Sequence, residues 1–183
     1  GAKLAMCSPG LGSNIELMSP ANLDAPLSQS LVKFLDRKGE GLFALMLEAV
    51  DPDAEAELIL QRGLNVLPLM VGAGGRDIHP RSTHGVLIRI YPVNSYPAPP
   101  AEYDDASLKL SGIVRVVIAV NDLENAVAVY GEKFAMDISH VVEDSERGIS
   151  SVICRPPSGG EIEIVAARSP NSPYAKSIQD FLA

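Results

Sequence analysis

One stretch of this chain occurs twice. It is Cys7-Ser-Pro-Gly-Leu-Gly-Ser-Asn-Ile-Glu-Leu17, and 147 residues later it is matched by Cys154-Arg-Pro-Pro-Ser-Gly-Gly-Glu-Ile-Glu-Ile164. The same offset continues without a gap and aligns Pro26 with Pro173. Segments matched in this way are predicted to build the same local structure, namely a strand, a glycine-rich turn, a second strand, a loop and a short helix.

A second and weaker repeat relates residues 41–91 to residues 112–165. Each copy opens with an apolar strand, passes an acidic residue into a helix and continues with three shorter extended segments. The predicted strands lie at residues 42–50, 65–71, 76–79 and 86–91 and at residues 113–120, 138–142, 150–155 and 161–165, and the predicted helices at residues 54–62 and 123–134. Both copies are therefore predicted to be βαβββ units.

Polar residues at the helix ends support these boundaries. Asp53 and either Asn121 or Asp122 are predicted N-caps, because their side chains can accept hydrogen bonds from the first unpaired helical N–H groups. Gly63 is predicted to follow the last residue of the first helix, where a left-handed backbone is favourable for glycine.

The order of these elements predicts an α+β fold, in which βαβββ units pair into a curved mixed sheet with helices outside and a cavity on the concave side. We expect residues 1–92 to form the tail of a first unit plus a full second unit. Residues 93–110 are the predicted proline-rich linker, since prolines there disfavour helix and central strand. Residues 111–183 are predicted to form a βαβββ unit with a C-terminal helix.

The composition excludes several classes of function. The 15 Lys and Arg residues face 23 Asp and Glu residues, and this net charge of −8 argues against binding nucleic acid or anionic lipid. No apolar run reaches the roughly 20 residues of a spanning helix, so no membrane partner is expected. With only 2 cysteines, a reduced, cytoplasmic setting is predicted.

Three stretches carry a family resemblance. The first is Ile15-Glu-Leu-Met-Ser-Pro20 followed by Lys33-Phe-Leu-Asp-Arg-Lys-Gly-Glu-Gly-Leu42. The others are His79-Pro-Arg-Ser-Thr-His-Gly-Val-Leu-Ile88 and Val116-Val-Ile-Ala-Val-Asn-Asp-Leu-Glu-Asn-Ala126. Together with the repeated βαβββ pattern, they resemble the vicinal oxygen chelate superfamily of glyoxalases, bleomycin-resistance proteins and extradiol dioxygenases, and methylmalonyl-CoA epimerase in particular. The resemblance covers nearly all of the chain outside the linker and implies a glyoxalase-like barrel.

The resemblance also implies where metal ligands would stand. Members of the superfamily take one ligand from the first strand and one from the last strand of each unit, and these positions match Ala44 and Arg89 in one unit and Arg115 and Glu163 in the other. Glu163 has Glu16 as its counterpart in the repeat. A methyl group does not bind a metal, and a guanidinium ion repels one. We therefore predict no metal and no other cofactor.

The same positions suggest what the protein does. Ala44, Arg89 and Arg115 are predicted to line a cavity for a small anionic carbonyl or carboxylate compound, and Glu163 or Glu16 is the candidate catalytic carboxylate. If active, the protein would be a lyase, epimerase or dioxygenase relative. Two alternatives stay open, a ligand-sequestering protein of the resistance type and the scaffold half of a tandem enzyme. The arginines and glutamate can also pair with one another. Incomplete units leave strand edges exposed, so self-association is expected.

Overall fold

The computed structural model describes residues 1–8, 11–70, 74–95, 112–169 and 171–183. It contains two compact units, Gly1–Ser111 (the first unit) and Gly112–Ala183 (the second unit). Most of the proline-rich linker predicted at residues 93–110 lies outside the described residues.

The first unit contains a hairpin and a separate three-stranded sheet. Its described elements are β1 (Ala2–Cys7), β2 (Leu11–Gly12), β3 (Ile15–Pro20), α1 (Pro26–Lys38), β4 (Leu45–Ala49), α2 (Pro52–Gln61), β5 (Arg76–Ile78), a 3-10 turn at Pro80–Ser82 and β6 (Ile88–Pro92). β1 and β3 pair antiparallel. β6 lies between β4 and β5 and runs parallel to β4 and antiparallel to β5.

The second unit is built around one mixed sheet. Its described elements are β7 (Gly112–Ile113), β8 (Arg115–Ala119), α3 (Leu123–Val127), a π-helical turn at Ala128–Lys133, β9 (Asp137–Ile138), β10 (Val142–Asp144), β11 (Ile149–Arg155), β12 (Glu161–Ala167) and α4 (Pro173–Leu182). The strand order is β10-β11-β12-β8, and β9 pairs with the end of β11.

The two units share one topology. In each, the last strand runs parallel to the first strand and antiparallel to the strand that precedes it, as β6 does with β4 and β5 and β12 does with β8 and β11. The second unit has the βαβββ order that the sequence repeat predicts, whereas the sheet of the first unit has three strands, β4, β5 and β6. The α+β class is confirmed. The expected barrel is not closed, because the strands of the described residues form several separate sheets.

The 147-residue repeat is reproduced strand for strand. In the β1–β3 hairpin Cys7 lies opposite Ile15, and in the β11–β12 hairpin Cys154 lies opposite Ile162 at the same offset. The helices that follow both begin at the matched prolines, Pro26 and Pro173. Equal strand register and equal helix starts show that matching sequence produced matching local structure.

One predicted strand forms only in part. Of the strand predicted at residues 65–71, Val66 forms a β-bridge with Ile78, Leu67 donates a backbone hydrogen bond to the Asp77 carbonyl, and Asn65 accepts one from the His79 N–H. Within the described residues, this pairing ends at Leu67. The strand predicted at 138–142 is likewise divided between β9 and β10.

The helix caps confirm two predictions and correct one. The Asp122 carboxylate accepts a hydrogen bond from the Asn125 N–H at 2.9 Å, and Gly63 has a positive φ of 86° directly after α2. The N-cap of α2 is Asp51 rather than Asp53, because its carboxylate accepts from two N–H groups of the first turn at 3.1 and 3.0 Å. The helix therefore starts at Pro52, and proline is favourable at a first helical position.

The helix predicted at residues 123–134 changes its winding after Val127. From Ala128 to Lys133 it follows the wider π-helical path. Gly131 lies in this turn, where a Cβ atom would stand 2.8 Å from the Ile138 side chain. The preceding residue, Tyr130, is fully buried.

No helix in the described part of the chain is long and apolar enough to cross a membrane.

Candidate functional site

Ala44 and Arg89 line one cavity in the first unit. Ala44 directly precedes β4, Arg89 lies on the parallel neighbour β6, and the cavity between their side chains and those around them has a volume of about 70 Å³. The superfamily resemblance matched Ala44 and Arg89 to the first-strand and last-strand ligand positions of one unit, and the structure places both in the wall of the same cavity. We call it the Arg89 cavity.

The Arg89 cavity is mainly apolar. Three methionines line it, Met18 from β3, Met46 from β4 and Met70, together with Phe43 and leucine side chains. Thioethers are flexible and polarisable, so such a wall adapts to ligands of different shape. The helix α1 contributes Leu27 and Ser30, which places the repeat's helix over this cavity.

A buried ion pair forms the polar part of the wall. Arg89 Nε donates to Asp77 Oδ1 at 2.6 Å and Arg89 Nη2 donates to Asp77 Oδ2 at 2.7 Å. The exposed fractions of the two side chains are only 6% and 7%. Burial lowers the pKa of Arg89, but the hydrogen bonds and charge of Asp77 outweigh it and raise that pKa above its ordinary value. Arg89 is therefore a permanent, locally neutralised cation.

Asp77 was missed in the sequence, although a signal for it was present. Arg89 stands inside the apolar run Val86-Leu-Ile-Arg-Ile-Tyr91, and a guanidinium buried in such a strand requires a carboxylate partner. Asp77 sits one residue before Ile78 on β5, in the register position directly opposite Arg89. Only the antiparallel pairing of β5 with β6 identifies it among the other acidic residues.

Glu16 lies on the same side of β3 as Met18, which lines the Arg89 cavity, since side chains two apart on a strand share a face. Its side chain is half-buried. Burial raises the pKa of Glu16 above 4.5, and the charge of Arg89 partly opposes that shift. The carboxylate and the guanidinium thus act on each other within the first unit.

Arg115 and Glu163 are brought together in the second unit. Arg115 Nη1 donates to Glu163 Oε2 at 3.1 Å, and Arg115 Nη2 donates to Glu161 Oε2 at 2.7 Å. Arg155 also donates to Glu161, at 3.1 Å. The sequence reasoning missed Glu161, which directly faces Arg115 in the parallel pairing of β12 with β8.

This second cluster is more open than the first. Arg115 is 41% exposed and Glu163 is 20% exposed. The hydrogen bond from Arg115 lowers the pKa of Glu161. In turn, the hydrogen bonds to Glu161 and Glu163 raise the pKa of Arg115. Two arginines meet two glutamates, so the cluster carries no net charge. Pairs exposed to this degree contribute little to stability.

The structure thus forms two pairings of the candidate residues, Ala44 with Arg89 and Arg115 with Glu163. Glu16 joins the first pair through its electrostatic interaction with Arg89. Both arginines are held by carboxylates. Arg115 forms the pairing with Glu163 that the sequence left open, whereas Arg89 binds Asp77 instead. Among the described residues, no cluster of three or more His, Cys, Asp or Glu side chains is arranged to hold a metal ion.

No protein-family model and no curated protein matches this chain. Among solved structures, it is similar to a glyoxalase/bleomycin resistance protein/dioxygenase from Alicyclobacillus acidocaldarius, at 12% identity over 75% of this chain and 99% of that one, with a TM-score of 0.44. It is also similar to TioX from Micromonospora sp. ML1, at 17% identity over 69% of this chain and 98% of that one, with a TM-score of 0.41.

A methylmalonyl-CoA epimerase is a further similar structure, at 22% identity over 38% of this chain and 51% of that one, with a TM-score of 0.33. The strand pairings of the second unit follow the βαβββ order that the resemblance implies, and strands β4, β5 and β6 of the first unit form a three-stranded sheet. What this chain does depends on the residues of its own candidate sites.

Proposed function

We propose that this protein binds the end of a small, largely apolar molecule in the Arg89 cavity and does so without a metal ion. The observation that carries the proposal is the wall of that cavity, in which methionine, leucine and phenylalanine side chains surround one neutralised ion pair. Apolar pockets with a few fixed polar groups are the usual form of small-molecule sites.

The residues at this site do not suit a divalent cation. Ala44 offers a methyl group, and Arg89 is a cation whose partner Asp77 is already engaged at both carboxylate oxygens. A metal site in this fold would need imidazole or carboxylate donors at those positions. Elemental analysis of the purified protein should find far less than one equivalent of zinc, nickel, cobalt, manganese or iron. One equivalent of any of them per chain would contradict the proposal.

The charges around the cavity restrict the kind of ligand that can bind there. The sequence hypothesis of an anionic ligand relied on an arginine with unused charge, and Asp77 supplies the opposite charge. An added carboxylate would face Asp77 and Glu16 with only one guanidinium to compensate. A neutral carbonyl can accept a hydrogen bond from the guanidinium edge without adding charge. We therefore favour a neutral carbonyl compound over an anion.

The volume of the Arg89 cavity limits how much of a ligand can enter it. The cavity holds about 70 Å³, while an apolar cavity of roughly 150 Å³ is filled by benzene. Only a small head of a few non-hydrogen atoms fits, so the remainder of a larger ligand would lie outside. A short ketone is accordingly a suitable probe.

Methionine methyl NMR tests this proposal directly. The chain has 5 methionines, and Met18, Met46 and Met70 line the cavity while Met6 and Met136 do not. Titration with 2-butanone should shift the three cavity signals and leave the other two unchanged. Butyrate, which carries a charged end on a similar carbon chain, should shift them much less.

Two matched variants control the titration. Ala44→Leu should fill the cavity and remove the 2-butanone shifts, whereas Ala54→Leu on the exposed side of α2 should retain them. Equal shifts at Met6, or equal responses to 2-butanone and butyrate, would contradict binding of a neutral carbonyl compound in this cavity.

Glu16 supports a second candidate function, proton transfer at the carbon beside a carbonyl. It shares a strand face with Met18, and its raised pKa favours proton uptake. The Glu16 carboxylate would take the α-proton, leaving an enolate, and return a proton to the same carbon. Exchange of the α-protons of 2-butanone for deuterium in D₂O measures this step. Glu16→Gln should abolish any acceleration, and Glu163→Gln should retain it.

A further inference from the structure

Ser30 of α1 is the one uncharged polar residue among the described residues that line the Arg89 cavity. The other two polar residues of that wall, Arg89 and Asp77, bind each other at 2.6 and 2.7 Å. The Ser30 hydroxyl, in contrast, has no hydrogen-bond partner within the part of the chain that the structure describes. The cavity wall therefore contains a half-buried donor that no protein group uses.

The sequence of α1 places Ser30 on the side of the helix that faces the cavity. Leu27, Ser30 and Phe34 are spaced three and four residues apart, so they lie on one side of the helix. Leu27 lines the cavity together with Ser30. Phe34 packs edge-on against Phe43, another residue of the cavity wall, with 5.4 Å between the ring centroids. A serine thus interrupts an apolar stripe where that stripe reaches the cavity.

The 147-residue repeat supplies a direct comparison for this serine. The counterpart of Ser30 is Ser177 of α4, which is exposed. The Ser177 hydroxyl donates to the Tyr174 carbonyl of its own helix at 2.7 Å, and such a bond to the preceding turn is common for serine within a helix. Ser30 makes no equivalent bond to the Leu27 carbonyl in the described structure. Matched serines in matched helices therefore differ in whether the helix itself uses the hydroxyl.

The stability of α1 does not account for Ser30. Alanine is a better helix former than serine, and the Ser30 hydroxyl makes no bond to the described protein that would offset this difference. Residues that disfavour their own element without a compensating contact are expected at functional positions. The lack of a structural role directs attention to the cavity that Ser30 lines.

We infer that Ser30 recognises the oxygen of the bound molecule by donating its hydroxyl hydrogen bond to a carbonyl group, an inference that rests on the proposed function. The hydroxyl is uncharged, so it matches a neutral acceptor and leaves the Arg89–Asp77 pair intact. A ligand without an oxygen leaves this donor unpaired in an apolar wall, and that loss discriminates against it. Ser30 is accordingly a specificity-determining residue of the Arg89 cavity.

Two ligands of nearly equal shape test this inference. 2-Butanone has a carbonyl oxygen where 2-methyl-1-butene has a methylene group. Titration of each, followed through the methyl signals of Met18, Met46 and Met70, gives two dissociation constants. In Ser30→Ala the affinity for 2-butanone should fall by about three- to tenfold, because one hydrogen bond is lost. The affinity for 2-methyl-1-butene should stay within about twofold of the native value.

Two further variants control this measurement. Ser177→Ala removes the matched hydroxyl from the second unit and should leave both affinities unchanged. Ser30→Thr retains a hydroxyl and adds a methyl group, so the ratio of the two affinities should stay near the native ratio in a narrower cavity. Ser30→Ala should fold normally and melt no lower than the native chain, since alanine suits a helix better.

The carbonyl stretching frequency of bound 2-butanone reports the hydrogen bond itself. Donation to a carbonyl oxygen weakens the C=O bond and lowers its stretching frequency. Bound 2-butanone should therefore absorb at a lower frequency in the native chain and in Ser177→Ala than in Ser30→Ala. A change confined to the shape of the cavity would not lower this frequency.

Failure of this inference and failure of the proposed function give different results. If 2-butanone shifts no cavity methionine in the native chain, the proposed function fails and the role of Ser30 fails with it. If 2-butanone binds the native chain and Ser30→Ala equally well, the cavity binds the ketone but Ser30 does not recognise its oxygen. Equal losses of affinity for both ligands in Ser30→Ala would also overturn the inference, because the effect would then be independent of the carbonyl.

Discussion

Arg89 and Asp77 form an ion pair whose two side chains are almost completely removed from solvent. Their bidentate contact keeps the charges and donors satisfied within an apolar wall. The pair does not make the cavity a strong anion site, because each charge is already compensated. It instead fixes a guanidinium edge in a defined orientation beside Ala44 and the methionines.

Removing one partner of this pair should strongly destabilise the first unit. We expect Asp77→Ala to lower the free energy of unfolding by about 3–5 kcal/mol, because it leaves the Arg89 charge buried without compensation. The double variant Asp77→Leu with Arg89→Met should lose less than the single variant. Urea denaturation measures both, and a single-variant loss of under about 1 kcal/mol would show that the pair is not buried in solution.

Glu16 should make stability depend on pH. Burial raises its folded pKa above 4.5, so the folded state binds more protons than the unfolded state between those two values. The free energy of unfolding therefore falls as the pH rises through that window, and the penalty persists above it. Glu16→Gln removes the penalty and should melt at a higher temperature than the native chain at neutral pH.

Thermal melts across a pH series check the sign of this effect. The difference between Glu16→Gln and the native chain should vanish as the pH falls below about 4, where the carboxyl is protonated in both states. Glu48→Gln, at an exposed position of β4, is the control. A lower melting temperature for Glu16→Gln at neutral pH would show that its interaction with Arg89 outweighs its burial.

Local sequence predicts the position of a helix cap only to within a few residues. α2 follows Asp51-Pro-Asp53, in which either aspartate can cap a helix by composition. Proline at the second position resolves the choice, because its fixed φ and missing N–H suit the first helical residue. Asp53 is then inside the helix, and its carboxylate binds Arg76 at 2.7 Å instead.

Alanine substitutions should separate these two aspartates. Asp51→Ala should lower the free energy of unfolding by about 1 kcal/mol, since two N–H groups of α2 lose their acceptor. Asp53→Ala removes an ion pair in which its side chain is 76% exposed and should change stability by less than about 0.5 kcal/mol. Urea titration of both variants gives the comparison, and equal losses would contradict the assignment of the cap.

The two hairpins have the same sequence pattern but lie in different surroundings. In the β11–β12 hairpin, β12 pairs with β8 along its edge, α3 packs on both strands, and α4 packs on the hairpin through Ala175 and Ile178. The β1–β3 hairpin has the same register and a matching helix, α1, but its outer face is exposed. Apolar side chains at matched positions therefore differ in what they contribute to stability.

Matched alanine substitutions in the two hairpins should have very different effects. Ile164→Ala should lower the free energy of unfolding of the second unit by about 2–5 kcal/mol, because it leaves a cavity at a fully buried site. Leu17→Ala, at the equivalent position, should lose less than about 1 kcal/mol, since its side chain is already 56% exposed. Similar losses would indicate that Leu17 is covered in solution.

Periodicity and the internal repeat were sufficient to predict the α+β class, the βαβββ order and most element positions. These are local properties, since a repeated pattern of apolar spacing, turns and caps produces repeated strands and helices. The same local reasoning was only partly correct at residues 65–71, where the apolar pattern favours a strand but the described pairing is a single β-bridge at Val66. It also failed at Asp53, where neighbouring aspartates compete for one cap.

The pattern of the chain thus predicted the repeated units, and the family resemblance supplied the candidate positions Ala44, Arg89, Arg115 and Glu163. Tertiary structure decided what those positions do, because a charge is defined by the groups that surround it in space. Asp77 and Glu161 come opposite the two arginines only through strand pairing. The exposure of the β3 face is likewise invisible in a sequence that matches its buried counterpart, since burial depends on which other elements pack against it.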